Sequence, residues 1–366
     1  MNKYYENLHP EIKEYFKILS PHFPEWLFDY IDTKEMRRIG KISMHCGVEY
    51  SGIFNVKYPY SNLDHSVGVA LIIWHFTHDK KQTLAGLFHD IATPVFKHCI
   101  DFMNGDSERQ ESTEERTIEI ITNSEEIMDL LNRDNISVED VIDYKIYPVA
   151  DNDSPKLSAD RFEYNFSSGL SFHPIWTLDK IKKVYENIEI GTNEDGIDEL
   201  IFKDKTVCEE YIETVSKLWP KWICNEDKLV MQFIADICKS MKNAGLLTVD
   251  DLYQLTEEEM LEKILNCPDK YIVESFKKFQ QTKKAHTSPY LIDDRYCVKV
   301  KSKVRYIVPL VKADGTNKRI TNVSTQAHNT IKKFLIDSFQ EPVYTYFDFD
   351  FEPYEDPMVL TKTLTY

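Results

Sequence analysis

Two stretches of the sequence carry side chains that bind divalent metal ions: one contains His65 and the other the adjacent pair His89 and Asp90. Apolar residues flank Asp90 along the chain, and an ionised carboxylate in such surroundings loses several kcal/mol to desolvation when it has no partner. A divalent cation removes that cost and takes neutral imidazole nitrogens as further ligands. Histidine together with aspartate suits Mn, Fe, Co, Ni or Zn better than Ca. The chemistry expected here is that of a metal centre.

The same residues allow a purely structural interpretation, in which His65 and His89 are core histidines bonded to carbonyl groups and Asp90 caps a helix end. A third residue favours the metal. Asp160 lies among apolar residues of a further predicted helix, so its carboxylate also needs a partner. His45, in a predicted loop, is interpreted as a solvated histidine and is given no role.

Helices must position these ligands. Ser61 and Asp64 form a capping box that starts the helix of His65, and this helix is apolar on both sides, which predicts that it is buried. A second helix is predicted over about residues 82–92, and Pro94 ends it. Small residues one turn before the second ligand pair allow the first helix to approach closely.

A third helix is predicted to begin with Ser154 as its N-cap and Pro155 at its first position, and to end before Gly169. Asp160 would then lie near the middle of this helix. Three separate helices would therefore each bring a potential metal ligand.

Three sequence runs narrow the interpretation: residues 61–69 (SNLDHSVGV), 89–98 (HDIATPVFKH) and 158–164 (SADRFEY). They resemble the runs T-R-F-E-H-S-x-G-V, H-D-x-G-H-x-P-F-S-H and D-x-D-K-x-D-Y of the HD-domain metal-dependent phosphohydrolases, in their deoxynucleoside triphosphate triphosphohydrolase-like branch. The resemblance covers about residues 30 to 175.

The resemblance implies a mainly α fold, with an HD-domain helical bundle and a small α+β C-terminal part. It implies that His65, His89, Asp90 and Asp160 hold one divalent ion per site, which would be Mn, Fe, Ni, Co, Zn or Mg. It also implies a hydrolase acting on phosphate ester or anhydride bonds, in which hydroxide attacks a metal-bound phosphate. The expected substrate is a small molecule, a nucleotide or another phosphate ester.

The sequence departs from the family pattern where the family contacts its substrate. The arginine that contacts phosphate is replaced by Asn62, the second histidine of the H-D run by Thr93, and an aspartate that contacts the sugar by Ser168. The segment that supplies a further catalytic histidine is matched by residues 109–115, which contain none. Glu114 and Glu115 fall in that segment, and a solvated helix face accounts for them.

Four further residues are candidates for catalysis and substrate binding. His98 can act as an acid or base near neutral pH, and it can equally orient Asp90. Arg161 and Tyr164 are candidates for phosphate and sugar contacts, since arginine binds phosphate through two N–H groups. Lys97 is a further candidate for phosphate.

Three interpretations of the function remain open. The first is a nucleotide hydrolase similar to the dNTP triphosphohydrolases, which release intact triphosphate. The second is a 5′-nucleotidase or phosphodiesterase of the same superfamily, which the losses at Asn62 and Thr93 favour. The third is a catalytically quiet, nucleotide-binding regulatory oligomer.

Composition limits the partners. The 366 residues carry a formal charge of −17, which disfavours nucleic acid and anionic membranes as partners. No apolar run approaches the length of a membrane span, and the charged first residues do not resemble a signal peptide. Seven scattered cysteines fit reduced thiols. We therefore predict a cytoplasmic homo-oligomer.

The chain is predicted to divide into a helical core with the metal site over residues 1–175, a helical extension over 176–290 and a small α+β region over 291–366. In the last region, residues 296–308 alternate between apolar and basic side chains, which predicts a half-buried strand. Asp314 and Gly315 predict a turn into a second strand, and Ser324 the start of a helix. The basic stripe at 299–305 is interpreted as a lysine-protected edge strand, and an anion or nucleotide regulatory site is the alternative.

Overall fold

The computed structural model describes residues 2–113 and 116–355, so Glu114 and Glu115 lie outside the described residues. The mainly α prediction is confirmed. The helices are α1 (Lys3–Asn7), α2 (Pro10–Leu19), α3 (Leu27–Ile31), α4 (Lys34–Ile39), α5 (Asn62–Thr77), α6 (Lys80–Phe88), α7 (His98–Met103), α8 (Thr117–Asn123), α9 (Glu125–Arg133), α10 (Ala159–Ser171), α11 (Leu178–Tyr185), α12 (Lys205–Val215), α13 (Asn225–Asn243), α14 (Val249–Gln254), α15 (Glu257–Leu265), α16 (Lys270–Gln281), α17 (Ile320–Val323) and α18 (Thr325–Ser338).

Two small sheets accompany the helices. Their strands are β1 (Ile188–Thr192), β2 (Asp198–Phe202), β3 (His286–Ser288), β4 (Cys297–Val298), β5 (Leu310–Ala313), β6 (Thr316–Arg319) and β7 (Tyr344–Tyr346). The first sheet has the order β1-β2-β5-β6 and the second β3-β7-β4. The hairpin of β1 and β2 lies in a region that we predicted to be helical. Because β2 pairs in parallel with β5, the first sheet joins strands from both sides of the predicted boundary at residue 290.

Helix α5 is the central element of the site. It starts at the predicted capping box, in which Ser61 and Asp64 bond reciprocally. Its side chains are buried on every face from Asn62 to Ile73, as the apolar pattern predicted. It packs against both α6 and α10, the helices next to the other proposed ligands. His65, near the start of α5, is therefore held between them.

Helix α6 ends at Phe88, so its predicted continuation to residue 92 is wrong. His89 is its C-cap residue, and Asp90 lies in the turn that follows. Tighter bonds close this turn, from Ile91 N–H to the Phe88 carbonyl and from Thr93 N–H to the Asp90 carbonyl. The two ligand candidates are thereby presented at a helix end.

Helix α10 begins at Ala159 with Ser158 as its N-cap, so the predicted start at Ser154 is wrong. Asp160 consequently lies in the first helical turn, where a carboxylate is favoured by the helix dipole. The predicted end before Gly169 is also wrong, because α10 continues to Ser171. Gly169 is needed inside the helix for packing: a Cβ atom there would lie 2.3 Å from Trp176 Cδ1.

The predicted strand over residues 296–308 is wrong apart from the two residues of β4. Its backbone groups bond to loops instead: Lys303 N–H donates to the Ser107 carbonyl and Val308 N–H to the Pro155 carbonyl. The predicted turn at Asp314 and Gly315 joins β5 to β6, and α18 starts at Ser324 as predicted. The second strand was predicted from Arg319 to Val323 and is wrong apart from Arg319, because β6 covers Thr316–Arg319 and α17 follows it directly.

Within the described residues, no helix is both long enough and apolar enough to span a bilayer. One large core lies around α5 and α10 and includes residues of α18. A second core lies around α13 and α16 and includes Phe347, which follows β7 directly. The C-terminal part therefore contributes to both cores.

Candidate metal centre

Three of the four predicted ligands converge. One ligand atom from each of His65, His89 and Asp160 lies within 4.8 Å of the other two. The two Nε2 atoms are 3.2 Å apart, and Asp160 Oδ1 lies 3.1 Å from His65 Nε2 and 3.8 Å from His89 Nε2. Two imidazole nitrogens and a carboxylate oxygen facing one point form a donor set suited to a divalent transition metal.

A buried carboxylate orients His65. The Nδ1 atom of His65 lies 2.5 Å from Glu163 Oε2, on the opposite side of the ring from Asp160. Glu163 is fully buried and also accepts hydrogen bonds from the hydroxyls of Tyr15, Tyr60 and Ser167. A proton on Nδ1 leaves the lone pair of Nε2 directed at the common point. Such carboxylate–histidine pairs are typical of metal centres, where they set the tautomer and raise ligand basicity.

The charges around His65 favour a cation. Burial lowers the pKa of His65, but Glu163 and Asp160 outweigh it and raise that pKa to about 9. Burial raises the pKa of Asp160, but His65 and His89 bring it down to about 2. Two carboxylates therefore stabilise positive charge at this point, which is the electrostatic condition for holding a metal ion.

His89 is oriented by the backbone. Its Nδ1 atom lies 2.7 Å from the carbonyl oxygen of Gly86, one turn earlier in α6. Because a carbonyl oxygen only accepts hydrogen bonds, Nδ1 carries the proton and donates, and Nε2 is again left with its lone pair. The end of α6 at Phe88 places this ring beside that of His65, with the ring centres 5.0 Å apart.

Asp90 lies beside the group of three. Its Oδ1 atom is 3.8 Å from His89 Nε2, while Oδ2 is 2.9 Å from the ammonium nitrogen of Lys97. Burial raises the pKa of Asp90, but Lys97, His89 and His65 lower it well below the ordinary value. Asp90 is therefore a permanent anion next to the site, and its role as the fourth ligand stays a prediction.

Two of the departures from the resembled motifs, Asn62 and Thr93, contact each other. Asn62 donates from Nδ2 to Thr93 Oγ1 at 3.1 Å and accepts a hydrogen bond from Lys97 through Oδ1. The side chain of Lys97 is 5% exposed. A buried ammonium group thus lies next to Asn62.

His98 lies between the carboxylate of Asp101 and the guanidinium of Arg305. Its Nδ1 atom is 3.0 Å from Asp101 Oδ2, and its Nε2 atom is 3.2 Å from Nη2 of Arg305. Since arginine only donates, Nε2 accepts and Nδ1 carries the proton. Burial lowers the pKa of His98, and Arg305 and Lys97 lower it further against the opposing effect of Asp101. His98 is therefore a neutral imidazole.

Arg161 lies in α10, and its guanidinium bonds to the loop that precedes this helix. It donates to the carbonyl oxygens of Lys156 and Asn152 and pairs with Asp151 at 3.1 Å. Tyr164 packs its ring against Trp222, 5.5 Å between centres, and burial raises the pKa of Tyr164 to about 12. Both side chains line the cavity, so both lie where the predicted substrate contacts would be made.

One cavity of about 620 Å³ is lined by the ligand candidates and by His98, Lys97, Arg161 and Tyr164. Its lining also includes Lys156 and the side chains of Phe172, Trp222 and Met231. Lys303 and Arg305, from the predicted basic strand, also face this cavity, so these two are not the protected edge of a sheet.

Several residues of the site were not found from the sequence. Glu163 follows Asp160 by one helical turn, and this spacing is the sequence signal that could have identified it. Asp101 was missed although it lies three residues after His98. His45 was wrongly interpreted as solvated: it is 7% exposed and lines the cavity, and its Nε2 has no hydrogen-bond partner among the described residues. Asp227 lines the cavity too, and nothing in the sequence near it marks it.

No protein-family model matches the chain. The chain is 21% identical over 303 residues to the protein YdhJ of Bacillus subtilis, which covers 77% of this chain and 86% of that protein. It is 26% identical over 161 residues to the metal-dependent phosphohydrolase cns2 of Cordyceps militaris, which covers 43% of this chain and 44% of that protein.

Two solved structures have a similar fold. A phosphohydrolase from Bacteroides thetaiotaomicron superposes with a TM-score of 0.61 at 14% identity, over 89% of this chain and 96% of that one. A hypothetical protein from Aquifex aeolicus superposes with a TM-score of 0.59 at 15% identity, over 88% and 91%. The chain therefore shares its overall fold with these two structures, and a His-His-Asp group that can hold a metal ion lies in the cavity described above.

Proposed function

We propose that this protein is a metal-dependent phosphohydrolase of the HD type, and that its substrate is a nucleotide hydrolysed in the manner of the dNTP triphosphohydrolases. The observation that carries the proposal is the convergence of His65, His89 and Asp160, each with its Nε2 or Oδ1 atom directed at one point. The names of cns2 and of the Bacteroides structure support the reaction class.

The residues of the site fit a metal ion. His65, His89 and Asp160 would hold it, with Asp90 as the proposed fourth ligand, and the buried Glu163 would keep His65 in its binding tautomer. When bound, a divalent ion lowers the pKa of water and withdraws charge from a phosphoryl oxygen. Lys97, fixed between Asp90 and Asn62, keeps a positive charge beside this point whether or not substrate is present.

His98 is the proposed proton carrier. Asp101 accepts from its Nδ1–H and so fixes the ring, and Nε2, which accepts a hydrogen bond from Arg305 Nη2, takes up or returns a proton when that bond opens. Its low pKa makes it a proton acceptor at neutral pH rather than a donor. Arg161 acts through the loop that it holds, and Tyr164 would offer its hydroxyl to the sugar.

The mixed lining of the cavity supports a nucleotide as substrate. Phosphate groups suit Lys97, Lys156 and the ligands, and an aromatic base suits Trp222 and Phe172. A cavity of about 620 Å³ lies within the range of small-molecule sites.

A smaller phosphate ester is the second candidate. The contacts among Asn62, Thr93 and Lys97 fill the place where the related enzymes keep an arginine and a histidine for the triphosphate. A 5′-nucleotidase or phosphodiesterase needs fewer cations than a triphosphohydrolase, because its substrate carries fewer phosphates.

The test is chromatography of mono-, di-, tri- and cyclic nucleotides after incubation with manganese-loaded protein. Wild type should consume a nucleotide, whereas Asp160→Ala and Asp90→Ala should lose at least about a hundredfold in rate. Asp348→Ala, at an exposed position paired with His286, is the control and should keep full activity. Release of intact triphosphate would identify the first candidate, and release of single phosphates the second. A wild-type protein that binds manganese and consumes nothing would contradict both and favour a regulatory nucleotide-binding protein.

A further inference from the structure

Arg305 occupies an unusual position for a residue from the end of the chain. It lies in an extended segment, more than 140 residues after Asp160, and yet its guanidinium faces the cavity that contains the metal ligands. The segment is anchored on both sides, by the bond from Lys303 N–H to the Ser107 carbonyl and by that from Val308 N–H to the Pro155 carbonyl. Arg305 is thereby held at a defined place in the cavity wall.

The guanidinium is fixed through one of its nitrogens. Nη2 donates to Gln110 Oε1 at 2.5 Å and to His98 Nε2 at 3.2 Å. The guanidinium has five N–H donors in all, and within the described residues Nε and Nη1 make no hydrogen bond. Nε–H and Nη1 point to different sides of the guanidinium, so each can donate a single charged hydrogen bond to a phosphoryl oxygen while Nη2 stays held.

Among the described residues, no carboxylate forms an ion pair with this cation. Asp227 lines the same cavity and feels the charge of Arg305, but no ion pair joins the two. Arg161 and Lys97, by contrast, each pair with an aspartate, at 3.1 and 2.9 Å. Unlike these two, Arg305 therefore faces the cavity with its charge unpaired within the described part of the chain.

We propose that Arg305 is a substrate-binding residue that takes a phosphoryl oxygen of the bound substrate at the side of His98. This inference rests on the proposed phosphohydrolase function, which it deepens: the alternating basic segment serves the catalytic cavity through Arg305 and is not a separate regulatory site. A phosphoryl oxygen held by Nη1 lies beside His98, because Nη2 of the same guanidinium contacts that ring.

The first experiment measures binding of inorganic phosphate to metal-free, full-length protein by titration calorimetry. Arg305→Ala should weaken phosphate binding at least about tenfold, the effect of losing a charged hydrogen bond. Arg305→Lys should have an intermediate phosphate affinity, since it keeps the positive charge and loses the fixed, planar N–H donors of the guanidinium. Lys301→Ala is the matched control, because Lys301 belongs to the same basic stripe but is exposed and pairs with Glu341; it should bind phosphate as wild type does.

Thermal unfolding of each variant shows whether the fold is kept, and Arg305→Lys serves if Arg305→Ala does not fold. Equal phosphate affinity in wild type and the folded Arg305 variants would overturn the inference, as would wild type that binds no phosphate.

The second experiment separates this inference from the proposed function. With the nucleotide that wild type consumes, Arg305→Ala should raise KM at least about tenfold, whereas Lys301→Ala should not. If no nucleotide is consumed but Arg305→Ala still loses phosphate binding, the anion site stands and the proposed hydrolase function fails. If a nucleotide is consumed and KM and phosphate affinity are both unchanged in Arg305→Ala, the hydrolase stands and the role of Arg305 fails.

Discussion

Glu163 shows how one buried charge prepares a metal ligand. It accepts from His65 and from three hydroxyls, and no part of its side chain is exposed. A carboxylate in such a place costs free energy unless its donors are all present, so the surrounding residues are arranged around it. Its effect on the site is to fix the tautomer of His65 and to add negative charge behind the ring.

Glu163→Gln should therefore weaken Mn²⁺ binding about 10- to 100-fold, because the ligand loses its anionic partner while the shape of the side chain is kept. The measurement is titration of metal-free protein with Mn²⁺. Glu199→Gln is the control: Glu199 is equally buried, but it bonds to Arg319 and lies away from His65. Glu163→Gln protein that is folded and binds Mn²⁺ as tightly as wild type would contradict the assigned role.

Asp227 gives a prediction for pH. Burial raises its pKa from the ordinary 3.8 to about 7, against the opposing effect of Arg305. An acid whose folded pKa lies above its unfolded value binds its proton more tightly when folded, so stability is lost as pH rises from about 4 to about 7 and is level above that.

Asp227→Asn removes this titration. Its free energy of unfolding should exceed that of wild type by about 1 to 2 kcal/mol at pH 8, a discounted figure because the cavity admits water. The gap should narrow as pH falls towards 4, which denaturant unfolding at several pH values measures. A gap that is the same at pH 5 and pH 8 would show that Asp227 does not titrate in this range.

At the scale of elements, the close contact of α5 with α10 determines where the ligands meet. Gly68 in α5 faces Glu163 in α10, and a Cβ atom at position 68 would lie 2.7 Å from Glu163 Cγ. The absence of a side chain at Gly68 thus lets the two helices approach until His65 reaches both Glu163 and Asp160.

Gly68→Ala should destabilise the protein by about 1 to 3 kcal/mol, despite the better helix propensity of alanine, because the added methyl group meets a side chain that four hydrogen bonds hold in place. It should also weaken Mn²⁺ binding, since Glu163 must move. Thermal unfolding and Mn²⁺ titration measure the two effects. Gly191→Ala is the control: its Cβ would meet the end of Ile201 and the Asn317 amide, both in the sheet, so Mn²⁺ affinity should stay unchanged.

At the scale of the whole molecule, the C-terminal part completes the fold. β5 pairs with β2, and Ile307, Val311 and Phe334 belong to the same core as α5. Arg319 strengthens this connection through ion pairs with Glu194 and Glu199 at 2.8 and 2.6 Å. The predicted division at residues 175 and 290 and the predicted homo-oligomer stay predictions.

A chain that ends at residue 290 should therefore fail to fold, because it exposes core residues and leaves β2 without its parallel partner. Circular dichroism and limited proteolysis are the measurements. A chain that ends at residue 355 is the control: it keeps every described residue and should be as protease-resistant as the full chain. A cooperative, resistant fold in the shorter variant would instead support an independent C-terminal region.

Local signals in the sequence were sufficient for some features. The capping boxes, the buried helix α5 and the turn at Asp314 depend on residues a few positions apart, whose hydrogen bonds and burial follow from the local pattern. The three residues that converge were also among the predicted ligands, because a charged or imidazole side chain among apolar neighbours is costly without a partner, and this cost can be read from the chain itself. Their role as metal ligands stays a prediction.

Only the tertiary structure decided which distant groups serve the ligands. Glu163 behind His65, Lys97 beside Asp90 and Arg305 against His98 are contacts between separate elements, and no local pattern specifies them. The same holds for residues 296–308, where an alternating pattern typical of a strand is used by a segment whose backbone bonds to loops. Alternation records only that successive side chains face different surroundings. Whether those surroundings are a sheet and solvent, or a core and a catalytic cavity, depends on what the rest of the chain packs against it.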